Sequence, residues 1–195
     1  MSTAIEKTKQ QVATIRTTLI KSRGQIAQAL PRHMDVDRLL RVIMTSVQRT
    51  PELLECSTIS LLGAVIQTAQ LGLEPDNVVG EAYLLPFKKR VQLIPGYKGL
   101  VKLARNSGQI SSITAEVVYR QDKYTFAKGL AEKLEHIPSQ DPDPRSDKDI
   151  VAFYCIVRLK DGGVQWEWMW RWEVDTIRNS SPGKGASGPW VTHYA

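Results

Sequence analysis

The sequence predicts an α+β protein. Three helical patterns fill most of the first 72 residues, strand pairs with hairpin spacing occupy most of the remainder, and one basic strand–turn–strand–helix stretch joins the two regions. That stretch, GEAYLLPFKKRVQLIPGYKGLVKLARNSG at residues 80–108, organises the reading. Between Lys88 and Ala115 the chain holds six basic residues and no acidic one, although its net charge is only +6. A local excess of one sign marks a surface that meets an opposite charge.

Residues 5–30 carry apolar positions at Ile5, Val12, Ile15, Leu19, Ile26 and Leu30, an amphipathic helix interrupted near Gly24 and ended by Pro31. Asp35 is placed to cap a second helix that turns Val36, Leu39, Leu40, Ile43, Met44 and Val47 inward and closes before Pro51. Arg38, Arg41 and Arg49 line its polar side, where a solvated face is the default reading, and a polyanion or another subunit the alternatives. Ser57 or Thr58 caps a third helix with Ile59, Leu62, Val65, Ile66 and Ala69 inward. It has no charged residue, as a largely buried helix requires. GLEPDN then supplies a turn.

In the central stretch, residues 80–87 and 90–95 read as a hairpin with a basic tip. Lys88-Lys89 lacks the positive-φ preference of a tight turn, so a longer or bulged loop is expected, and Pro86 places its strand at an edge or a bulge. From Tyr97 the period becomes helical. Tyr97, Leu100, Val101 and Ala104 are expected to face inward, Lys98, Lys102 and Arg105 to form a neighbouring stripe, and Gly108 to end the helix. Three cations on one helix commonly form only a solvated face. With the hairpin tip beside them and no acidic partner, phosphate binding is the better reading.

After Gly108, residues 109–120 read as a strand, and YTFAKG with AEKLEHIP as a second hairpin turning at Gly129. SQDPDPRSDKD is a polar loop. IVAFYCIVRLK and VQWEWMWRWEV, joined by Asp161-Gly162-Gly163, form the clearest hairpin, with Trp166, Trp168, Trp170 and Trp172 on one strand face. Such a row can stack exposed bases. Core or interface is favoured, because an open row of indoles invites aggregation. The pattern WEVDTIRNS is helical, and a Gly/Ser/Pro-rich tail succeeds it.

Composition narrows the function classes. The chain, 195 residues long, suits one domain, divided here into N-terminal helices at 1–50 and an α+β core at 51–195. No apolar run spans a membrane and the N-terminus lacks a signal-peptide core. Cys56 and Cys155 form no CxxC pair, so a reducing cytosol fits. Residues 1–50 hold nine Lys+Arg against three Asp+Glu, whereas residues 129–175 hold six against ten, a charge asymmetry that suits contact between copies. Gly183-Lys184-Gly185 is not a P-loop, so ATP hydrolysis is not expected. His33, His136 and His193 are scattered, and Asp141, Asp143, Asp147 and Asp149 lie in a Pro-broken loop without a calcium-loop pattern, so neither metal nor cofactor is expected. No nucleophile comes with a base, which points to binding rather than catalysis.

Residues 61–110 resemble the RecT family of phage and prophage single-strand annealing recombinases. Ala69 to Pro75, read AQLGLEP, carries the LGLEP of its AxxLGLEP segment, Tyr83 to Phe87 matches its YLxPF strand, and Val91 to Gly108 its VQxxxGYKGxxxLARRSG run, with Asn106 where an arginine is common. Weaker similarity runs through His136-Ile137-Pro138 to Pro189-Trp190. The resemblance implies a small twisted antiparallel sheet packed on helices, distantly similar to lambda Beta-type annealing proteins. It also implies ATP-independent coating and annealing of single-stranded DNA by rings or filaments in a bacterial host's cytoplasm, beside a phage exonuclease. Family chains usually continue beyond the equivalent of Pro189-Trp190, so a truncated form is expected here. The residues expected to contact DNA are Lys88, Lys89, Arg90, Lys98, Lys102 and Arg105, with Gly96 and Tyr97 beside them. The rival reading is an adaptor assembled through the Trp-rich hairpin, with incidental DNA contact.

Overall fold

A computed structural model describes residues 2–76, 78–140 and 146–180. The α+β class holds: among the described residues there are six α-helices and small antiparallel sheets. The chain divides into two compact units, Met1–Gly108 and Gln109–Ala195.

The first unit begins with α1 (Ser2–Lys21) and α2 (Arg23–Ala29), which break at Ser22, close to the expected point, and end before Pro31. Helix α3 (Val36–Arg49) is capped as expected: the Asp35 carboxylate accepts from the Arg38 amide at 2.7 Å. A short 3-10 turn (Pro51–Glu55) leads to α4 (Thr58–Leu71), where the Ser57 hydroxyl accepts from the Ser60 amide at 3.1 Å and Gly72 closes the helix at φ 64°. The buried face of α4 is Leu61, Ala64, Val65, Thr68 and Ala69. Ile59 is therefore a correction to the expected face, because it lies 85% exposed in the first turn of the helix. Strands β1 (Ala82–Phe87) and β2 (Arg90–Pro95) form an antiparallel pair, and α5 (Tyr97–Asn106) comes next.

One apolar cluster ties these elements together. Ile15 and Leu19 of α1, Ile26 of α2, Leu39, Ile43 and Val47 of α3, Leu61 and Val65 of α4, and Leu84 and Val91 of the hairpin are all buried in it. The boundary drawn at residue 50 from sequence runs through this core, since α1 to α3 present their apolar stripes to α4 and the hairpin. Ser60 of α4 stitches β2 in place: its hydroxyl accepts from the Val91 amide at 3.0 Å and donates to the Ser57 carbonyl at 2.8 Å.

The second unit is built on a three-stranded sheet ordered β3 (Ile110–Tyr119), β6 (Ile150–Leu159), β7 (Val164–Trp170). A hairpin of β4 (Lys123–Ala127) and β5 (Lys133–Ile137) lays Tyr124 and Phe126 on it. Trp168 is 5% exposed, stacked on Phe126 at 4.6 Å and 15° and parallel to Tyr154 at 6.1 Å. At the hairpin's end the buried Asp122 carboxylate accepts from the Tyr119 and Ser139 amides, each at 2.8 Å, and lies 3.0 Å from His136 Nε2. His136 Nδ1 lies 3.2 Å from the Tyr154 hydroxyl.

The expected row of four tryptophans is corrected. Strand β7 ends at Trp170 and α6 (Arg171–Ser180) begins, because the Glu173 carboxylate accepts from the Trp170 amide at 2.7 Å and Arg171 pairs with Asp175 one turn on. Trp172 thus sits on a helix, 66% exposed, while Trp168 is core and Trp166 and Trp170 are half-buried. The tail after Ser180, with Pro189-Trp190, lies outside the described residues. Replacing Trp168 by Ala should remove the ring on which Phe126 and Tyr154 stack and cost about 3–5 kcal/mol, read as a lowered denaturant midpoint; an unchanged midpoint would contradict the core assignment.

Candidate nucleic-acid interface

The register of the first hairpin pairs Phe87 with Arg90, leaving Lys88 and Lys89 as a two-residue turn at φ 46° and 59°. This corrects the expected longer loop. A tight turn with both residues left-handed matches the twist of the flanking strands but normally uses Asn-Gly. Each lysine bears a cost of roughly 1 kcal/mol for its Cβ. The cost is offset because the strands' inner residues, Leu84 and Val91, are buried and the Ser57 amide donates to the Lys89 carbonyl at 3.0 Å. Both lysines are thereby held on the exposed tip.

Helix α5 is placed by Glu81. The Glu81 carbonyl accepts from the Gly96 amide at 2.9 Å. A Cβ at Gly99 would collide with that same carbonyl, and one at Gly96 with the Gly80 carbonyl. The helix therefore lies against the start of β1 on its Gly99 side. Lys102, three residues on, falls over the Glu81 carboxylate and donates to its two oxygens at 2.9 and 2.8 Å; Glu81 Oε2 also accepts from the Glu74 amide at 3.0 Å.

This packing rearranges the expected faces. Lys98 and Arg105 are exposed, but Lys102 is drawn inward and ion-paired. Gly96 is buried with its amide committed to Glu81. Tyr97 and Leu100, expected inward, are 74% and 56% exposed, while Val101 and Ala104 are half-buried. Gly108 does close the helix, at φ 74°. Of the eight residues read as DNA-contacting, the structure thus brings Lys88, Lys89 and Arg90 together at one tip, sets Lys98, Arg105 and Tyr97 on the exposed side of α5, and gives Gly96 and Lys102 internal partners. Glu81 was missed in sequence; its signal was Gly99, a glycine inside a helical pattern, which asks for a close packing partner.

The cations of the N-terminal helices are mixed: Arg16, Lys21 and Arg41 have no carboxylate within ion-pair distance among the described residues, whereas three others are paired. Arg23 pairs with Asp37, Arg38 with Glu74 at 2.7 Å, and Arg49 lies 3.7 Å from Asp76. Asp37 is held below the usual carboxylate range by its hydrogen bond from Arg23. Among the described residues, Lys88, Lys89, Arg90, Lys98 and Arg105 have no such carboxylate partner. Asp141 and Asp143 lie outside the described residues, and the Asp149 carboxylate is occupied by the Ser146 hydroxyl and amide. Among the described residues no helix is long and apolar enough to cross a membrane, and no three His, Cys, Asp or Glu gather as metal ligands.

Fold and surface together define a class: an α+β protein presenting carboxylate-free cations on a hairpin–helix unit, the kind of surface a polyanion requires. The sequence profile of the RecT family matches residues 37–195, and the chain belongs to that family. It is 46% identical over 178 residues to "Protein RecT" of Escherichia coli (strain K12), covering 87% of this chain and 64% of that relative, so the chain spans less than two thirds of the relative's length. The family resemblance read from residues 61–110 is borne out.

Two substitutions test the unit. Exchanging Lys88-Lys89 for Asn-Gly should relieve the left-handed turn and raise unfolding free energy by about 1–2 kcal/mol; a fall in the melting temperature would contradict the tight turn. Gly99→Ala should push α5 off Glu81 and cost about 2 kcal/mol or more, since the obstacle is backbone; a neutral result in chemical denaturation would contradict the packing.

Proposed function

We propose that this chain binds single-stranded DNA and anneals complementary strands in homologous recombination, without ATP, as a ring or helical filament of identical subunits. The observation that carries the reading is the cluster of carboxylate-free cations on the hairpin and α5, in a chain of the RecT family. Annealing requires two phosphate backbones to approach while their base edges stay free. Cations on the backbone meet the first need by releasing counterions, and contacts confined to phosphate and sugar leave the edges available.

Lys88, Lys89 and Arg90 at the tip and Lys98 and Arg105 on α5 are the proposed phosphate contacts, with Tyr97 beside them. Gly96 and Lys102 act by holding α5 against Glu81. Contact between the basic residues of 1–50 and the acidic 129–175 region of a neighbouring copy is the proposed subunit interface. The partners are single-stranded DNA, the annealed duplex intermediate, further copies and a phage exonuclease, in the bacterial cytoplasm. The adaptor reading loses support because Trp168, the centre of the tryptophan row, is used up in its own unit's core.

The double variants Lys88→Ala/Lys89→Ala and Lys98→Ala/Arg105→Ala should weaken binding alike for all strand sequences. Each should also flatten the log–log salt dependence by about 0.7 per lost phosphate contact. Fluorescence anisotropy across a salt series reads both quantities. Unchanged affinity and slope in both variants would remove the hairpin–helix unit from the DNA site.

A further inference from the structure

The hairpin carries a second chemistry beside its charge. Strand alternation sends Ala82 and Leu84 inward and Tyr83, Leu85 and Phe87 to the other face, opposite Ile94, Gln92 and Arg90. On that face Leu85 is 46%, Phe87 53% and Ile94 43% exposed. Two exposed aromatic rings of the unit each have an ammonium beside them: Lys88 Nζ lies 5.4 Å from the Phe87 centroid and Lys98 Nζ 6.0 Å from that of Tyr97.

We propose that this outer hairpin face is a stacking platform for the unpaired bases of the bound strand, with Phe87 as the stacking ring and Leu85 and Ile94 as its apolar floor. The proposal rests on the DNA-binding reading and deepens it by assigning a base-contacting surface to residues outside the phosphate set. The occupant is set by charge. Lysine is depleted at protein–protein interfaces, whereas here the apolar row ends in Lys88 and Lys89. A ligand that is polyanionic along one edge and flat and apolar along the other fits both halves, and single-stranded nucleic acid has that form. A duplex offers its charge but keeps its base faces stacked inside. Stacking also suits annealing, because it occupies the faces of the bases and leaves their pairing edges open.

The test compares an oligothymidylate with an abasic strand of the same length, which carries the phosphates without bases. The wild-type chain should bind the oligothymidylate about tenfold more tightly. Phe87→Leu, which keeps apolar bulk but removes the aromatic face, should abolish most of that preference while leaving abasic affinity, salt slope and melting temperature unchanged, and Phe87→Tyr should retain it. Equal, tight binding of both strands by the wild type would overturn the platform and leave phosphate contact intact. A preference that survives Phe87→Leu would also overturn it, as would a variant that loses self-assembly without any change in strand preference, since the face would then meet a second copy. Binding of neither strand by the wild type would instead overturn the DNA reading itself.

Discussion

Glu81 is the constraint on which the candidate interface depends. Its carbonyl accepts from the Gly96 amide and leaves no room for a Cβ at Gly99, while its carboxylate holds Lys102 and the Glu74 amide. One residue at the entrance to β1 therefore fixes the start of α5, its rotation and the preceding loop. The ion pair is partly buried, with 30% of the Lys102 side chain and 16% of the Glu81 side chain exposed. Its attraction is less screened than that of a surface pair, and losing one partner leaves the other charge poorly solvated. The rotation it sets turns Lys98, Arg105, Tyr97 and Leu100 outward.

Local rules are broken around this anchor, and broken together. Two lysines occupy left-handed positions, apolar side chains lie open on a hairpin face, and like charges gather without carboxylates. Elsewhere in the unit single departures occur, such as the exposed Ile20 and Ile59, while Arg23 and Arg38 are paired and the apolar stripes of α1 to α4 are largely buried. Departures of this kind concentrate where a surface is shaped for binding rather than for stability. The strained Lys88-Lys89 turn is tolerated because the packed inner face of the hairpin and the Ser57–Lys89 hydrogen bond determine it from outside.

Much of this was legible in the chain because it is encoded locally. Asp35 and Ser57 cap the helices they precede, Gly72 and Gly108 end helices at positive φ, the strands alternate, and the second and third hairpins place Gly129 and Gly162 at positive φ in their turns. The features that escaped depend on distant contacts. No local signal says that a Lys-Lys turn will be held tight by α4, or that Glu81 will claim Lys102 and rotate α5. Periodicity alone therefore placed Tyr97 and Leu100 inward. The strand-to-helix change at Trp170–Arg171 was missed for Trp172 because alternation continued through it, while the deciding signal was the Glu173 carboxylate reaching back to the Trp170 amide. No local signal reports that α1 to α3 share one core with the hairpin.

The most direct test of the central claim is the pairing rate of two complementary, dye-labelled oligonucleotides with and without this chain in buffer lacking ATP. The account predicts strong acceleration that fades as salt rises, because cations on the hairpin and α5 screen both backbones. Absence of acceleration at every salt concentration, with the chain folded and in excess, would contradict it.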